Sequence, residues 1–194
     1  MSLKTLMKFI IATAVSISSA TAASAGNIRV GVILGFTGPI ESLTPTMADS
    51  AELAFKEATD SGLLLGGGHY LVPMRADSTC IDADAATAAA ERLITSDEVS
   101  AIFGADCSGV TTAIANNVAV PNGVAMISPS ATSPALTDID DNGMFYRTAP
   151  SDARGGQVLA AIAKDRGVSN VAITYTNNDY GKGLADVFQA SFEA

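Results

Sequence analysis

The feature that most constrains the fold is a regular alternation of strand and helix patterns along the chain. Strand patterns, rich in β-branched and other apolar residues, lie at 27–34, 69–76, 99–103, 124–127, 144–147 and 171–175. Helix patterns, with apolar residues at helical spacing, lie at 46–58, 83–94, 110–116, 152–166 and from 183 onward. Because no hairpin signal joins successive strands, this order predicts an α/β fold with a doubly wound parallel sheet in Rossmann-like lobes.

The N-terminal segment, residues 1–25, has the pattern of a secretory signal peptide. Lys4 and Lys8 precede an apolar run at residues 9–15, which grades into small residues and ends in Ala23-Ser24-Ala25. A membrane anchor is the alternative, but spanning the ~30 Å hydrocarbon core of a bilayer takes roughly 20 apolar residues. We therefore expect export and cleavage after Ala25. Since no cysteine follows the run to carry a lipid, we expect a free periplasmic protein.

The predicted mature chain is strongly acidic. The full sequence has 11 basic and 20 acidic residues, and loss of the two signal-peptide lysines leaves 9 basic residues and a net charge of −11. Such a balance offers no basic surface for nucleic acid or for an anionic membrane. No later stretch is long and apolar enough to span a bilayer. We therefore expect neither a nucleic-acid partner nor a membrane-spanning segment.

Two lobes of unequal length are expected after the signal peptide. The sequence Thr148-Ala149-Pro150-Ser151 is the best candidate for a crossing between them, which places a first lobe at 26–148 and the start of a second at 149–194. The sequence ends at 192–194 inside a helix pattern that has no capping glycine or other stop signal. This ending predicts a truncated second lobe; a short complete protein with a helical C-terminus is the alternative.

The motifs of common α/β enzymes are absent from the sequence. The loop after the first strand, Gly35–Leu43, is not a G-x-G-x-x-G dinucleotide fingerprint, and the chain has no phosphate-binding P-loop and no G-x-S-x-G nucleophile elbow. The only histidine, His69, lies at the start of a strand, the wrong end of a sheet for a site. We therefore expect no catalysis and no cofactor.

One acidic segment resembles a calcium loop in its first half. Asp138-Ile139-Asp140-Asp141-Asn142-Gly143 matches the opening of an EF-hand, but Ala149 stands at the twelfth position, where a bidentate glutamate is needed. The segment is therefore interpreted as a solvated acidic turn, and no metal site is expected.

Two loops that follow predicted strands are the candidate binding elements. Open parallel sheets bind ligands beyond the carboxyl ends of their strands. In Gly104–Gly109, Ser108 is the expected N-cap of a helix whose free N–H groups would attract a carboxylate. In Ile127–Pro134, hydroxyl groups precede a possible helical turn that starts at Pro134. Ordinary caps and turns are the alternative interpretation of each loop.

Several motifs together resemble the periplasmic Leu/Ile/Val-binding protein family, the type I solute-binding proteins of ABC transporters. They are Ile127–Thr137 (ISPSATSPALT), Phe145–Pro150 (FYRTAP), Gly104–Gly109 (GADCSG) and Asp179–Leu184 (DYGKGL). The similarity runs in order from about residue 27 to the last residue. It implies two Rossmann-like lobes that close on a free amino acid and deliver it to an inner-membrane ABC permease.

The resemblance also implies roles for individual residues. Ser108 matches a serine that binds the α-carboxylate of the ligand. Ser130, Ala131 and Thr132 match the loop whose carbonyl and hydroxyl groups hold the ammonium and the carboxylate. Tyr180 matches an aromatic residue of the second lobe that covers the ligand on closure.

The chain also departs from the family pattern. The aromatic residue expected in the first loop aligns roughly with Leu43, so the side-chain preference of the ligand is left open. Relatives that bind amides, urea or aromatic acids are known. A periplasmic sensor domain of the same fold is the alternative to a transport protein, and a Rossmann-type enzyme is the third class considered.

The only two cysteines are Cys80 and Cys107. Each follows a predicted strand, so the fold could place them side by side at one edge of the sheet. An even pair in an exported protein favours a disulfide, and members of the family carry a bridge at the matching place. Two buried free thiols are the alternative.

Overall fold

The structure, a computed structural model, describes residues 26–194, so the predicted signal peptide lies outside the described residues. The strands are β1 (Asn27–Leu34), β2 (Tyr70–Asp77), β3 (Ala101–Gly104), β4 (Ala125–Ser128) and β5 (Phe145–Arg147). The helices are α1 (Thr44–Asp60), α2 (Ala83–Thr95), α3 (Ser108–Ile114), α4 (Asp152–Asp165) and α5 (Asp179–Glu193). Short 3₁₀ helices lie at Leu64–Gly66 and Pro134–Thr137, and a π-helical turn at Ala115–Ala119 prolongs α3.

The five strands form one sheet in the order β2-β1-β3-β4-β5, and every pairing is parallel. In register, Leu34 lies opposite Asp77 of β2, while Ile33 lies opposite Gly104 of β3. The predicted parallel α/β sheet is therefore confirmed. The order reverses between β1 and β3, and ligands of open parallel sheets bind at such a switch point, outside the carboxyl ends of the strands.

Helices cover both faces of the sheet, as a doubly wound fold requires. One face carries Val32 and Leu34 of β1, which pack against Ala48 of α1. The other face packs apolar side chains of α2, α3 and the strands into the larger core, whose biggest fully buried members include Ile33 and Leu93. Alternate side chains of β1 thus enter opposite layers, because successive side chains of a strand point to opposite faces.

β1 and β3 approach each other closely at Gly104. Its φ is +129°, and a Cβ atom at this position would lie 2.0 Å from the carbonyl oxygen of Ile33. Only glycine fits such a conformation and such a contact. The glycine therefore lets β3 end directly beside β1, at the switch point.

The last two helices, α4 and α5, pack against each other. Gly156 of α4 lies against α5, where an added Cβ would stand 2.8 Å from Val187 Cγ1 and 3.0 Å from Phe188 N. Asn178 caps α5 by accepting a hydrogen bond from Gly181 N at 2.9 Å, so the helix begins at Asp179. The prediction of a start at residue 183 was one turn too late.

The predicted strand at residues 171–175 is wrong for the described structure. These residues have no strand assignment and no partner in the sheet, and Val171, Ile173 and Tyr175 are exposed. A strand needs a hydrogen-bonded neighbour, and none lies alongside this segment within residues 26–194. In the same range, no helix is long and apolar enough to cross a membrane.

Candidate functional site

A cleft of about 850 Å³ opens at the carboxyl edge of the sheet, beside the switch point. On one side are the loops that follow β1, β2, β3 and β4; on the other are the segment 176–178 and the first turn of α5. Four of the five predicted binding residues line it: Ser108, Ser130, Thr132 and Tyr180. Ala131 does not line it and is fully buried.

A buried carboxylate, Asp106, lies at the floor of the cleft and is 3% exposed. Its Oδ2 accepts a hydrogen bond from Gly35 N at 2.9 Å. Its Oδ1 accepts from Cys107 N at 3.0 Å and from Ser78 Oγ at 3.3 Å. Its main-chain carbonyl accepts from Ser130 Oγ at 3.0 Å. One residue thus connects the four loops of the sheet edge.

The predicted disulfide joins Cys80 and Cys107, with the two Cα atoms 5.2 Å apart. It links the loop after β2 to the residue that precedes α3, and both cysteines line the cleft. The bridge therefore reinforces the same part of the wall that Asp106 holds by hydrogen bonds.

Hydrogen bonds of Ser128 hold the loop after β4 in place. The Ser128 hydroxyl donates to the carbonyl of Ala105 and accepts from Ala131 N at 3.0 Å. Ala131 is held a second time, since its carbonyl oxygen accepts from Arg147 Nη1 at 3.2 Å. Burial lowers the pKa of Arg147, and the charge of nearby Asp152 opposes that shift.

Ser108 does not cap α3, which corrects the prediction made from its position. Cys107 is the N-cap residue and makes no side-chain capping bond, whereas Ser108 is the first helical residue and 2% exposed. Its Oγ accepts a hydrogen bond from Ser133 N at 3.1 Å. Ser108 thus joins α3 to the loop after β4, a contact that the local sequence does not reveal.

Thr132 connects the cleft to the start of α4. Its Oγ1 donates to Asp152 Oδ2 at 2.6 Å, and its carbonyl accepts from Asp152 N at 2.9 Å. Asp152 is the first residue of α4 and also lines the cleft. The pair therefore fixes the direction in which the chain leaves the sheet toward α4.

The far wall is made by the start of α5. Tyr180 lies in its first turn, lines the cleft and is 47% exposed. The carboxyl carbon of the neighbouring Asp179 is 4.0 Å from the position that a Cβ on Gly109 would occupy, which brings α5 to the first turn of α3. Gly183 makes a similar approach, with an added Cβ 2.8 Å from Pro134 Cδ.

Leu43, the position that departs from the family pattern, is 58% exposed and does not line the cleft. Pro39 and Ile40 of the same loop line it instead. Their aliphatic side chains make this part of the wall apolar.

The sequence patterns do not identify two carboxylates of the site, Asp106 and Asp152. Asp106 lies inside the motif 104–109, and a signal was present: it is a charged residue two positions after a buried strand. In the sequence, Asp152 resembles any acidic residue in the first turn of a helix, where the helix dipole favours a negative charge. Nothing local reveals its contact with Thr132, 20 residues earlier.

Known proteins match the chain over nearly all of the described residues. A family described as periplasmic binding protein matches residues 27–194. Leu/Ile/Val-binding protein homolog 3 of Brucella melitensis is 32% identical over 182 residues, which cover 93% of this chain and 48% of that protein. The leucine-specific-binding protein of Salmonella typhimurium is 31% identical over 186 residues, which cover 94% of this chain and 48% of that protein.

A solved structure agrees with these matches. The crystal structure of a leucine-binding protein from Thermotoga maritima has a TM-score of 0.73 and 27% sequence identity, covering 86% of this chain and 45% of that chain. The chain spans about half the length of the curated relatives that it matches.

Proposed function

The chain belongs to the periplasmic binding protein family, and from this membership we propose that it captures a free amino acid, of the branched-chain type or a related small solute, in the cleft beside the switch point. The solute would be held between two lobes, 26–148 and 149–194, and passed unchanged to an inner-membrane ABC permease. Binding and release, without catalysis, is the proposed activity. The proposed location is the periplasm, reached by export and cleavage after Ala25.

The observation that carries the proposal is the cleft itself. A volume of about 850 Å³ lies within the range of roughly 300–1,000 Å³ typical of small-molecule sites. It lies where open parallel sheets bind ligands, and it combines aliphatic lining with convergent hydroxyl groups.

The hydrogen bonds already made by the hydroxyls support a ligand with both donors and acceptors. Ser130 and Thr132 each donate their single hydroxyl hydrogen to a protein oxygen, so only lone pairs are left for a ligand. Those lone pairs suit the N–H groups of an ammonium. Ser108 Oγ is an acceptor in its hydrogen bond with Ser133 N, and its own hydrogen suits a carboxylate.

The binding experiment is a titration followed by NMR. ¹⁵N-labelled protein lacking residues 1–25 is titrated with L-leucine, L-isoleucine, L-valine and polar amino acids, while the amide signals of residues 104–109 and 127–134 are followed. We expect saturable shifts in both loops, with dissociation constants in roughly the millimolar range. We expect weak binding because the far wall is small, formed by residues 176–178 and the first turn of α5, and because Tyr180 is 47% exposed.

Thr132→Ala tests the role of the loop after β4. Removing a hydrogen bond to a charged group costs about 1.5–3 kcal/mol, so we expect affinity to fall by roughly ten- to a hundredfold. Thr132→Ser keeps the hydroxyl and should retain most of the affinity. Thr95→Ala, an exposed threonine at the end of α2, is the matched control and should leave binding unchanged.

A wild-type chain that shifts with no member of the panel would contradict the proposed function. Equal affinity of the Thr132→Ala variant and the wild type would remove this threonine from the site and leave the rest of the proposal standing.

A further inference from the structure

Asp106 has an unusual set of partners for a charged side chain. It is 3% exposed, and the three hydrogen bonds that its carboxylate accepts come from Gly35 after β1, Ser78 after β2 and Cys107 after β3. A buried charge without compensation is strongly unfavourable. Here the compensation comes from loop donors, and no salt bridge is recorded for Asp106 among residues 26–194.

The partners of Asp106 are parts of the cleft wall. Gly35 begins the loop that carries Pro39 and Ile40, and Cys107 precedes the helix that carries Ser108. The Asp106 carbonyl also holds the Ser130 hydroxyl. Moving any one of these donors would therefore move a group that lines the cleft.

We propose that Asp106 is a positioning residue of the binding site, which holds the loops after β1, β2 and β3 at the spacing that the ligand requires. The inference rests on the proposed function, because it concerns the affinity of the same cleft. Asp106 acts through the loops, since each carboxylate oxygen already accepts from a protein donor.

The chemistry requires a carboxylate at this position. Gly35 N and Cys107 N approach different oxygens, and both are donors. An asparagine offers one acceptor oxygen and one NH₂ donor, so its amide nitrogen would face one of these two N–H groups. One of these two N–H groups must then lose its acceptor, although the side chain is nearly isosteric.

Asp77 supplies a matched control. It too is a carboxylate at the end of a strand that accepts from two loops: from Thr37 N and Oγ1 at 3.3 and 2.6 Å, and from Thr79 N at 2.8 Å. Unlike Asp106, it does not line the cleft. A purely structural role predicts similar consequences for Asp77→Asn and Asp106→Asn.

The experiment measures L-leucine affinity by NMR titration and stability by urea unfolding for the wild type and both variants. We expect both variants to be less stable. Asp106→Asn should lose affinity by at least tenfold at a temperature where every protein is folded. Asp77→Asn should lose much less, because Asp77 contacts only the loops after β1 and β2, whereas Asp106 also holds Cys107 N and Ser130 Oγ beside the proposed ligand. We also expect changed amide shifts at Gly35 and Cys107 for Asp106→Asn, and at Thr37 and Thr79 for Asp77→Asn.

Ser78→Ala removes one donor of the Asp106 network and keeps the charge, so it serves if Asp106→Asn does not fold. We expect it to weaken L-leucine binding by a smaller factor, roughly two- to fivefold, because only one hydrogen bond of the network is lost. Unchanged affinity in whichever variant folds, or an equal loss in Asp77→Asn, overturns the inference. If the wild type itself binds no amino acid, the proposed function is wrong, and this inference, which depends on it, is wrong as well.

Discussion

Asp77 illustrates how a single carboxylate can make stability depend on pH. Burial by itself raises the pKa of Asp77, but hydrogen bonds from Thr37 and Thr79 outweigh burial and hold the pKa below its usual value. The charged form is thus favoured in the folded protein. Its stabilising contribution is complete above the unfolded-state pKa of about 3.9 and is lost as the pH falls through the lower folded-state value.

We therefore expect Asp77→Asn to be less stable than the wild type at pH 7, with a difference that shrinks below about pH 4. Urea unfolding of both proteins at pH 7 and at pH 3 measures this difference. A stability difference of the same size at both pH values would show that the charge of Asp77 contributes nothing.

The packing of α4 against α5 depends on one of two adjacent glycines. Gly156 is buried, and its added Cβ would contact the backbone and side chains of α5. Gly155 is exposed, and its added Cβ would meet only Asp152 Oδ1, at 3.8 Å. The same substitution should therefore have opposite effects at the two positions.

We expect Gly156→Ala to destabilise the chain by roughly 1–3 kcal/mol, the usual cost of overpacking. Gly155→Ala should stabilise it by about 0.5–1 kcal/mol, because alanine favours a helix interior. Urea unfolding of the two variants measures both effects. Stabilisation by Gly156→Ala would mean that α4 and α5 do not approach this closely.

Local patterns predict all five strands of the sheet to within two residues, because buried parallel strands are short apolar runs with clear boundaries. They fail where a contact between distant segments decides the outcome. Residues 171–175 have strand-like composition but no neighbouring strand. Asn178 sets the start of α5 through its own cap, and Ser108 makes its bond to a residue 25 positions later.

The candidate site, too, could be predicted from the sequence only in part. The loops that follow the strands can be named from the order of elements, because the carboxyl ends of parallel strands share one edge. Ser108, Ser130, Thr132 and Tyr180 do line one cleft. Asp106 could not be assigned its role in advance, since its partners are 28 and 71 residues away in sequence.

At the scale of the whole molecule, the Cys80–Cys107 disulfide constrains the unfolded chain. The cysteines are 27 residues apart, and closing a loop of that length stabilises a protein by about 3–4 kcal/mol in the chain-entropy model. We expect the double variant Cys80→Ser/Cys107→Ser to lose about this much, measured by urea unfolding under non-reducing conditions. If the reduced wild type does not lose a similar amount of stability, the loss in the double variant comes from the serine side chains and not from the missing disulfide.

The strand order β2-β1-β3-β4-β5 also bears on how the sheet assembles. β1, β2 and β3 come first in the chain and are neighbours in space, while β4 and β5 each add to the free edge left by the strand before them. No strand has to be inserted between two that are already paired. The sheet can therefore grow outward in chain order, with Gly35, Ser78 and Asp106 all in place before β4 and β5 are added.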